Sequence, residues 1–262
     1  MRVTINPIEL CNRKCVFCPR SDPSVYPNRN LRMSISTATK IGEDLRDIQY
    51  TGEVFITGFG EPLLHSQLHK LCKAITNNNC SFKCVTVVTN GDMLTRDTVK
   101  DLRDNGVTNI IVSMYDGPDQ IDALKEVIDD ILPYTLRERY HSSNQDYGIE
   151  NMNNRSGYVK TRQIKEQYND VCYLPFNKCQ VDWNGDILLC DQDWGRNGVI
   201  GNIHDSCISD IWISDEMKRY RTNLIASDRS LSPCNKCDVN GKVYGKEQFD
   251  ILRRCYESDS SR

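Results

Sequence analysis

Three cysteines lie within eight residues near the start of the chain, in the segment CNRKCVFC that runs from Cys11 through Cys15 to Cys18. Thiolates are soft ligands that suit iron–sulfur clusters and zinc. A structural zinc site is closed by four protein ligands, and plant-type ferredoxins use a CxxxxCxxC spacing with a fourth cysteine. The spacing CxxxCxxC fits neither. The three cysteines therefore predict a 4Fe–4S cluster with one iron open to an outside ligand. A zinc knuckle or a chance grouping is the alternative.

Four further cysteines form a second set in the back half of the chain: Cys172, Cys190, Cys234 and Cys237, the last two as a CxxC pair. Four thiolates suit tetrahedral zinc and a closed 4Fe–4S cluster equally well, so the residues alone leave both open. Cys179 is an alternative ligand to Cys172. A cluster with four protein thiolates has no open iron, and this predicts electron transfer as its role if iron is bound.

Composition limits the classes of protein to which the chain can belong. It has 262 residues and a formal net charge of −3, which argues against a nucleic-acid binder, since such proteins are usually basic. No run of about 18 apolar residues is present to span a membrane, and the N-terminal segment lacks the apolar core of a signal peptide. Thirteen cysteines in a chain of this kind favour metal ligation over a disulfide framework. We therefore predict a cytoplasmic protein that binds neither nucleic acid nor a membrane.

The elements that position these residues alternate between β-like and helix-like patterns over residues 3–141. Repeated βα units imply a parallel sheet with helical crossovers, and in such folds the chemistry lies at the ends of the strands. The predicted strands cover 3–9, 53–59, 83–91, 109–115 and 135–141, and the predicted helices cover 34–48, 66–78, 95–106 and 120–130.

The composition changes after a polar stretch at 142–170, which we interpret as a linker or active-site loop. Beyond it, the dipeptide Asn184–Gly185 between two alternating runs predicts a β-hairpin. We therefore predict an α/β fold in two parts. A partial (β/α)6 TIM-like barrel with its linker would occupy residues 1–165, and a small domain of a β-hairpin and a helix would occupy residues 166–262.

The segment with the first three cysteines resembles the signature of the radical S-adenosylmethionine superfamily, in which an aromatic residue, here Phe17, precedes the last cysteine. The resemblance implies that the open iron binds S-adenosyl-L-methionine and passes one electron to its sulfonium, which yields a carbon-centred radical. GFGEP at 58–62 is similar to the GGEP motif of that family, with Phe59 as the departure, and other cofactor contacts match the ends of the next two strands. The residues implied in cofactor binding are Phe17, Gly60, Glu61, Pro62, Thr89, Asn90, Gly91 and Ser113.

The back half resembles the shortened auxiliary-cluster domain of the same family, called a twitch domain and related to the SPASM domain. The shared features are the spacing from Cys172 to Cys190, the segments GNI and DIW, and the pair Cys234 and Cys237. The resemblance implies that these four cysteines hold one auxiliary 4Fe–4S cluster, because only Cys255 follows them. The expected cofactors are therefore two 4Fe–4S clusters and S-adenosyl-L-methionine.

Within this family, the chain resembles dehydrogenases that oxidise a secondary alcohol of an aminocyclitol or sugar-like small molecule. The resemblance implies that the auxiliary cluster accepts an electron from the substrate and that a flavodoxin- or ferredoxin-type protein reduces the first cluster. Enzymes of this subgroup hold a polyol through a mid-chain arginine and an acid after the second auxiliary cysteine. Arg155 is the candidate for the first role. Gln192, with Asp193 beside it, occupies the position of the acid. A glutamine can orient a hydroxyl but is a poor base.

Other functions remain open from the sequence. A radical epimerase would need a thiol to return a hydrogen atom, and Cys207 or Cys255 are candidates. A peptide-modifying enzyme on the same scaffold would often carry a peptide-binding domain ahead of the barrel, and we expect none here. A non-catalytic iron–sulfur or zinc protein for regulation or electron transfer is the alternative outside the enzymes, but it leaves GFGEP and the Thr89–Gly91 segment without a role.

Overall fold

A computed structural model describes residues 1–77, 80–140, 153–160 and 168–259. These residues form an eight-stranded sheet in the order β5-β4-β3-β2-β1-β6-β7-β8. The first six strands in that order are parallel, and the last two are antiparallel additions. The strands are β1 (Arg2–Ile5), β2 (Glu53–Ile56), β3 (Cys84–Thr89), β4 (Asn109–Met114), β5 (Tyr134–Glu138), β6 (Lys178–Val181), β7 (Asp186–Leu188) and β8 (Val199–Asn202).

Helices connect the parallel strands, as the alternating pattern predicts. Ser34 caps the first helix, since its side chain accepts a hydrogen bond from the Thr37 N–H at 3.0 Å, and Thr95 caps the third in the same way. The crossover helices are α1 (Ile35–Asp47), α2 (Leu68–Thr76), α3 (Arg96–Asp104) and α4 (Gln120–Ile128). The later helices are α5 (Leu174–Asn177), α6 (Ile208–Trp212), α7 (Asp215–Ile225) and α8 (Lys246–Asp259). The predicted α/β class is confirmed.

The connectivity differs from the prediction at the sixth parallel strand. The predicted hairpin forms, with Val181 opposite Ile187, but its first strand, β6, also pairs in parallel with β1. This pairing satisfies the edge of β1 that would otherwise be open. The sheet is therefore continuous across the position at which we predicted a boundary, after residue 165. The division into two domains stays a prediction, and part of the predicted linker, 142–170, lies outside the described residues.

The two faces of the parallel sheet have opposite character. On β1, Val3 and Ile5 are buried in the hydrophobic core, whereas Arg2 and Thr4 point to the other face, because side chains alternate along a strand. Parallel sheets covered by helices usually have strands that are apolar on both sides. A polar second face therefore indicates the position of a site.

Within the described ranges, no helix combines the length and apolar character needed to cross a bilayer.

Candidate active site

The first set of cysteines lies in the loop after β1. Cys15 is buried, Cys11 and Cys18 are half-buried, and the Cys18 N–H donates to the Cys15 carbonyl at 2.9 Å. Burial raises the pKa of all three thiols, and the charges of Cys18 and Cys11 help raise the pKa of Cys15 to about 12. Three thiols this close would stay protonated at neutral pH unless a positive centre stabilised the thiolates. The donor set therefore fits an iron–sulfur core.

Arg13 fixes this loop to the loops that follow β3 and β4. Its guanidinium donates to Asp92 through Nε at 2.7 Å and to Asp116 through Nη1 at 2.7 Å. The neighbouring Asn12 side chain also donates to Asp92, at 2.6 Å. These contacts hold the cysteines over the carboxyl ends of the parallel strands. Sequence reasoning did not identify Arg13, although its position between two cysteines was the available signal.

The segment at 58–62 packs closely against the loop that carries the cysteines. A Cβ atom on Gly60 would lie 2.2 Å from the carbonyl oxygen of Ile8, so no larger residue fits at this position. Phe59, the departure from the family pattern, is buried and packs against Trp194 with ring centroids 4.8 Å apart. The extra aromatic residue thus contacts the loop after Cys190, which belongs to the second half of the chain.

Glu61 is buried and bonds to the end of β3. Its carboxylate accepts hydrogen bonds from Thr89 Oγ1 at 2.6 Å, from the Asn90 N–H at 2.8 Å and from the Leu63 N–H at 3.0 Å. Burial raises the pKa of Glu61 to about 7. Glu61 therefore fastens two of the predicted cofactor-binding segments to each other. Direct contact of these residues with the cofactor stays a prediction.

Most of the predicted cofactor residues meet at one cavity of about 150 Å³, which we call the cysteine cavity. Pro62 and Gly91 are outside its lining in the described part of the chain, but they shape the turns beside it, and Gly91 has a positive φ of +84°. The predicted residues that line the cysteine cavity are Cys11, Cys15, Phe17, Cys18, Gly60, Glu61, Thr89, Asn90, Ser113 and Arg155.

A second cavity of about 290 Å³ adjoins the first, and we call it the arginine cavity. Arg155, Ser113 and Trp194 line both cavities. The Arg155 Nη1 donates to Gln192 Oε1 at 3.2 Å, which places Gln192 behind the arginine. The polar residues that line the arginine cavity are Arg2, Thr4, Thr57, Ser113, Arg137, Arg139, Arg155, Lys178, Gln180 and Asp191.

The acidic residues after Cys190 have different environments. Asp193 is fully buried, and its carboxylate accepts hydrogen bonds from the N–H groups of Asn197 at 3.0 Å and Gly198 at 2.7 Å. It does not contribute to the lining of either cavity within the described residues, which favours a structural role over the predicted catalytic one. Asp191, two residues earlier, lines the arginine cavity and pairs with Lys178.

The second set of cysteines also groups together. Burial, together with the charge of Cys237, raises the pKa of Cys172 to about 11 and that of Cys234 to about 12. Cys190 is buried and has its pKa raised by burial and by the neighbouring Asp191, Cys234 and Cys237. This mutual influence fits one common metal centre.

The position of Cys179 narrows the choice of ligands at this centre. Cys179 is buried in the hydrophobic core, on the opposite face of β6 from the arginine cavity, which favours Cys172 as the fourth ligand.

The two thiols that an epimerase could use lie elsewhere. Cys207 precedes α6, with its Sγ 3.1 Å from the hydroxyl of Ser209, and Cys255 is exposed on α8. In the part of the chain that the structure describes, the thiols lining the two cavities are those of the first cysteine set. This placement puts neither Cys207 nor Cys255 in the described lining of the two cavities, which disfavours the epimerase alternative.

Comparisons with known proteins match both halves of the chain. The family model of the radical SAM superfamily matches residues 5–151, and the model of SPASM, an iron–sulfur cluster-binding domain, matches residues 172–238. The two ranges contain all seven cysteines of the two sets. The chain is 27% identical, over 253 residues, to the S-adenosyl-L-methionine-dependent 2-deoxy-scyllo-inosamine dehydrogenase of Niallia circulans. The alignment covers 92% of this chain and 94% of that protein.

Solved structures share the fold over most of the chain. A crystal structure of BtrN in complex with AdoMet and 2-DOIA has a TM-score of 0.73 and 25% identity, covering 91% of this chain and 93% of that one. A crystal structure of SuiB from Streptococcus suis bound to the precursor peptide SuiA has a TM-score of 0.60 and 18% identity, covering 90% of this chain and 69% of that one. The second likeness concerns the fold alone.

Proposed function

Because the chain belongs to the radical S-adenosylmethionine superfamily, we propose that it is a dehydrogenase that oxidises a secondary alcohol of a polyol, either an aminocyclitol or a sugar-like molecule. One observation carries the proposal. The polar arginine cavity adjoins the cysteine cavity and is lined by Asp191, the residue next to Cys190 of the second set. A substrate in this cavity would lie between the two cysteine sets, as a two-electron oxidation requires. The 2-deoxy-scyllo-inosamine dehydrogenase of Niallia circulans supports this class of substrate.

The cysteines would hold the cofactors. Cys11, Cys15 and Cys18 would bind one 4Fe–4S cluster, and the set from Cys172 to Cys237 would bind the other. When bound, the first cluster and S-adenosyl-L-methionine supply a radical that removes a hydrogen atom from the substrate, and the second cluster accepts the remaining electron. Glu61 keeps the Thr89–Gly91 turn against the 58–62 segment, so that both would face the cofactor.

Side chains of the arginine cavity would orient the alcohol and accept its proton. Arg155 would donate a hydrogen bond to the hydroxyl, with Gln192 holding the guanidinium in place. Burial acts to raise the pKa of Asp191, but the Lys178 ammonium and the hydrogen bonds to the carboxylate outweigh it, so the pKa is lowered. Asp191 is therefore ionised at neutral pH. It is the carboxylate in the described lining of this cavity that could accept the hydroxyl proton.

The reaction also needs an electron source and a reducing compartment. A flavodoxin- or ferredoxin-type protein would reduce the first cluster. Thiolate ligation of two clusters suits the cytoplasm, where cysteines stay reduced and disulfides are rare. A cytoplasmic protein with a small-molecule substrate is thus part of the proposal.

The test is an anaerobic assay of the reconstituted protein with a panel of cyclitols, aminocyclitols and their phosphates, including 2-deoxy-scyllo-inosamine. We expect a ketone, lighter than the substrate by two hydrogen atoms, formed one-to-one with 5′-deoxyadenosine. A product of unchanged mass that has taken up solvent deuterium would indicate epimerisation instead. Cys234→Ala is the matched variant, because loss of the second cluster should abolish the ketone.

A further inference from the structure

The arginine cavity carries more positive than negative charge. Five cationic side chains line it, and Asp191 is the one acidic residue in its described lining. Two of the cations have partners, since Arg2 pairs with Glu53 at 2.7 Å and Lys178 pairs with Asp191. Within the described ranges, the other three, Arg137, Arg139 and Arg155, have no carboxylate at ion-pair distance.

These three arginines converge from two segments. Arg137 stands on β5 opposite Ser113 of β4, and Arg139 is two residues further along, so both point to the polar face of the sheet. Arg155 reaches the same cavity from the mid-chain segment. Arg137 is exposed, and partial desolvation followed by the charge of Arg139 lowers its pKa. Burial lowers the pKa of Arg155, with the charge of Asp191 opposing this shift and that of Arg139 adding to it. Like charges so placed repel each other, and a bound anion would relieve the repulsion.

A second observation also points to a polar ligand in this cavity. Gln180 lines it and is only 1% exposed, yet neither its Oε1 nor its Nε2 has a hydrogen-bond partner in the described part of the chain. Thr4 lies directly opposite Gln180 on the neighbouring strand and lines the cavity too. Buried polar groups are almost always hydrogen-bonded. The unpartnered amide is therefore available to the hydroxyl groups of a ligand.

The charge pattern selects among possible ligands. The three arginines repel a protonated amine and Asp191 is already paired with Lys178, so the amine of an aminocyclitol would have to lie away from Arg137 and Arg139. The carboxylate of the methionine cofactor can occupy one guanidinium at most in a bidentate pair, which leaves two. A phosphate monoester has three oxygens and up to two negative charges, so it can engage more than one guanidinium at once.

We propose that the substrate is a phosphorylated polyol, whose phosphate monoester binds Arg137 and Arg139 while its hydroxyls reach Gln180 and Arg155. This substrate class rests on the proposed function, because it specifies which polyol the same cavity accepts. The phosphate would lie at the β5 side of the cavity. The carbon to be oxidised would then lie between Arg155 and the cysteine cavity.

The first experiment titrates the reconstituted protein, saturated with S-adenosyl-L-methionine, with inorganic phosphate at constant ionic strength. We expect phosphate to bind, and the double variant Arg137→Gln/Arg139→Gln to bind it at least about tenfold more weakly. Arg103→Gln is the matched control, because Arg103 lies on α3 outside the cavity and pairs with Asp104. No phosphate binding by the wild type, or equal affinity in the double variant, would overturn the assignment.

Two further measurements separate the other ligands. If the double variant lost affinity for S-adenosyl-L-methionine but bound phosphate normally, the arginines would serve the cofactor carboxylate, and the phosphate site would be wrong. If acetate bound more tightly than phosphate, the anion would be a carboxylate.

Should the glutamine variants fail to fold, Arg137→Lys/Arg139→Lys keeps both charges without the planar fork and is expected to bind phosphate with intermediate affinity. Wild-type affinity in the lysine variant would contradict recognition by the guanidinium groups.

Turnover distinguishes failure of this inference from failure of the proposed function. A polyol phosphate oxidised at least about tenfold more efficiently than its parent polyol supports both. A parent polyol oxidised as well as its phosphate would overturn the phosphate site and leave the dehydrogenase standing. Phosphate binding at the arginines without oxidation of any polyol would leave the anion site standing and contradict the dehydrogenase.

Discussion

The Arg155 guanidinium donates a hydrogen bond of 3.2 Å to the side-chain oxygen of Gln192 and thereby joins the mid-chain segment to the loop after Cys190. The contact lies where the arginine cavity meets the cysteine cavity. Because the acceptor is a neutral amide, it orients the guanidinium without compensating its charge. The positive charge of Arg155 thus stays available to a ligand.

This relationship predicts the effect of Gln192→Glu. The new carboxylate would pair with Arg155 and lower the positive potential of the cavity, so phosphate affinity should fall by about tenfold, on the scale of one charge interaction at partial burial. Gln67→Glu, which adds the same charge at the exposed start of α2, is the control and should bind phosphate as the wild type does. Unchanged affinity in Gln192→Glu would show that the charge of Arg155 does not act on the anion bound at Arg137 and Arg139.

A change at the first cysteine set should remove one cluster and all radical chemistry. Cys18→Ala is expected to lower the iron content from about eight to about four atoms per chain and to abolish formation of 5′-deoxyadenosine. Cys80→Ser alters a half-buried thiol outside both cavities and should retain both properties. The two measurements are iron analysis and chromatography of the cofactor products. Cofactor cleavage by Cys18→Ala at the wild-type rate would contradict the assignment of the ligand.

Glu61 predicts a pH dependence of stability. Burial raises its pKa from 4.5 to about 7, so the folded state binds this proton more tightly than the unfolded state does. Its contribution to stability is therefore complete below about pH 4.5 and is lost as the pH rises through about 7. The difference in unfolding free energy between the wild type and Glu61→Gln should fall by about 1–2 kcal/mol between pH 5.5 and 7 and then level off. Anaerobic urea titrations measure it, and a difference that does not vary with pH would contradict the raised pKa.

Gln180 predicts a conflict between stability and binding. Gln180→Leu replaces an unpartnered buried amide with an apolar side chain of similar size, so the protein should become more stable by about 1 kcal/mol while polyol binding weakens. Asn6→Leu is the contrasting variant. The Asn6 amide donates to Asp182 at 2.6 Å and accepts from the Phe59 N–H at 3.0 Å, so its loss should destabilise by about 2–3 kcal/mol. Destabilisation by Gln180→Leu would mean that the amide is already satisfied without a ligand.

Sequence patterns predicted those parts of the site that depend on local order along the chain. Thr89 ends β3 and Ser113 lies near the end of β4, and parallel strands bring such ends to one edge, so the residues were expected to meet. The resemblance of GFGEP to a family motif indicated that the 58–62 segment belongs to the site, and Gly60 and Glu61 line the cysteine cavity. Spacing and strand ends were sufficient here.

The arginine cavity could not be predicted in this way. Arg137 and Arg139 are two residues apart, which places them on one face of a strand, but the sequence does not reveal that β6 pairs with β1 and brings Gln180 to the same face. That pairing joins strands more than 170 residues apart. The turn after Cys190 also determines which aspartate reaches the cavity. It directs Asp193 towards backbone N–H groups and Asp191 towards the cavity. The residues that line the arginine cavity therefore depend on long-range strand pairing and on turn geometry, which local sequence patterns do not reveal.

The central claim is that this chain is a radical enzyme with two 4Fe–4S clusters, and one measurement on the anaerobically reconstituted protein tests it most directly. Iron and sulfide are counted per chain, and 5′-deoxyadenosine is assayed after addition of a strong reductant. We predict about eight irons and cleavage of the cofactor. About four irons with cleavage would remove the electron acceptor from the proposed oxidation. Both clusters present without any cleavage would contradict the central claim.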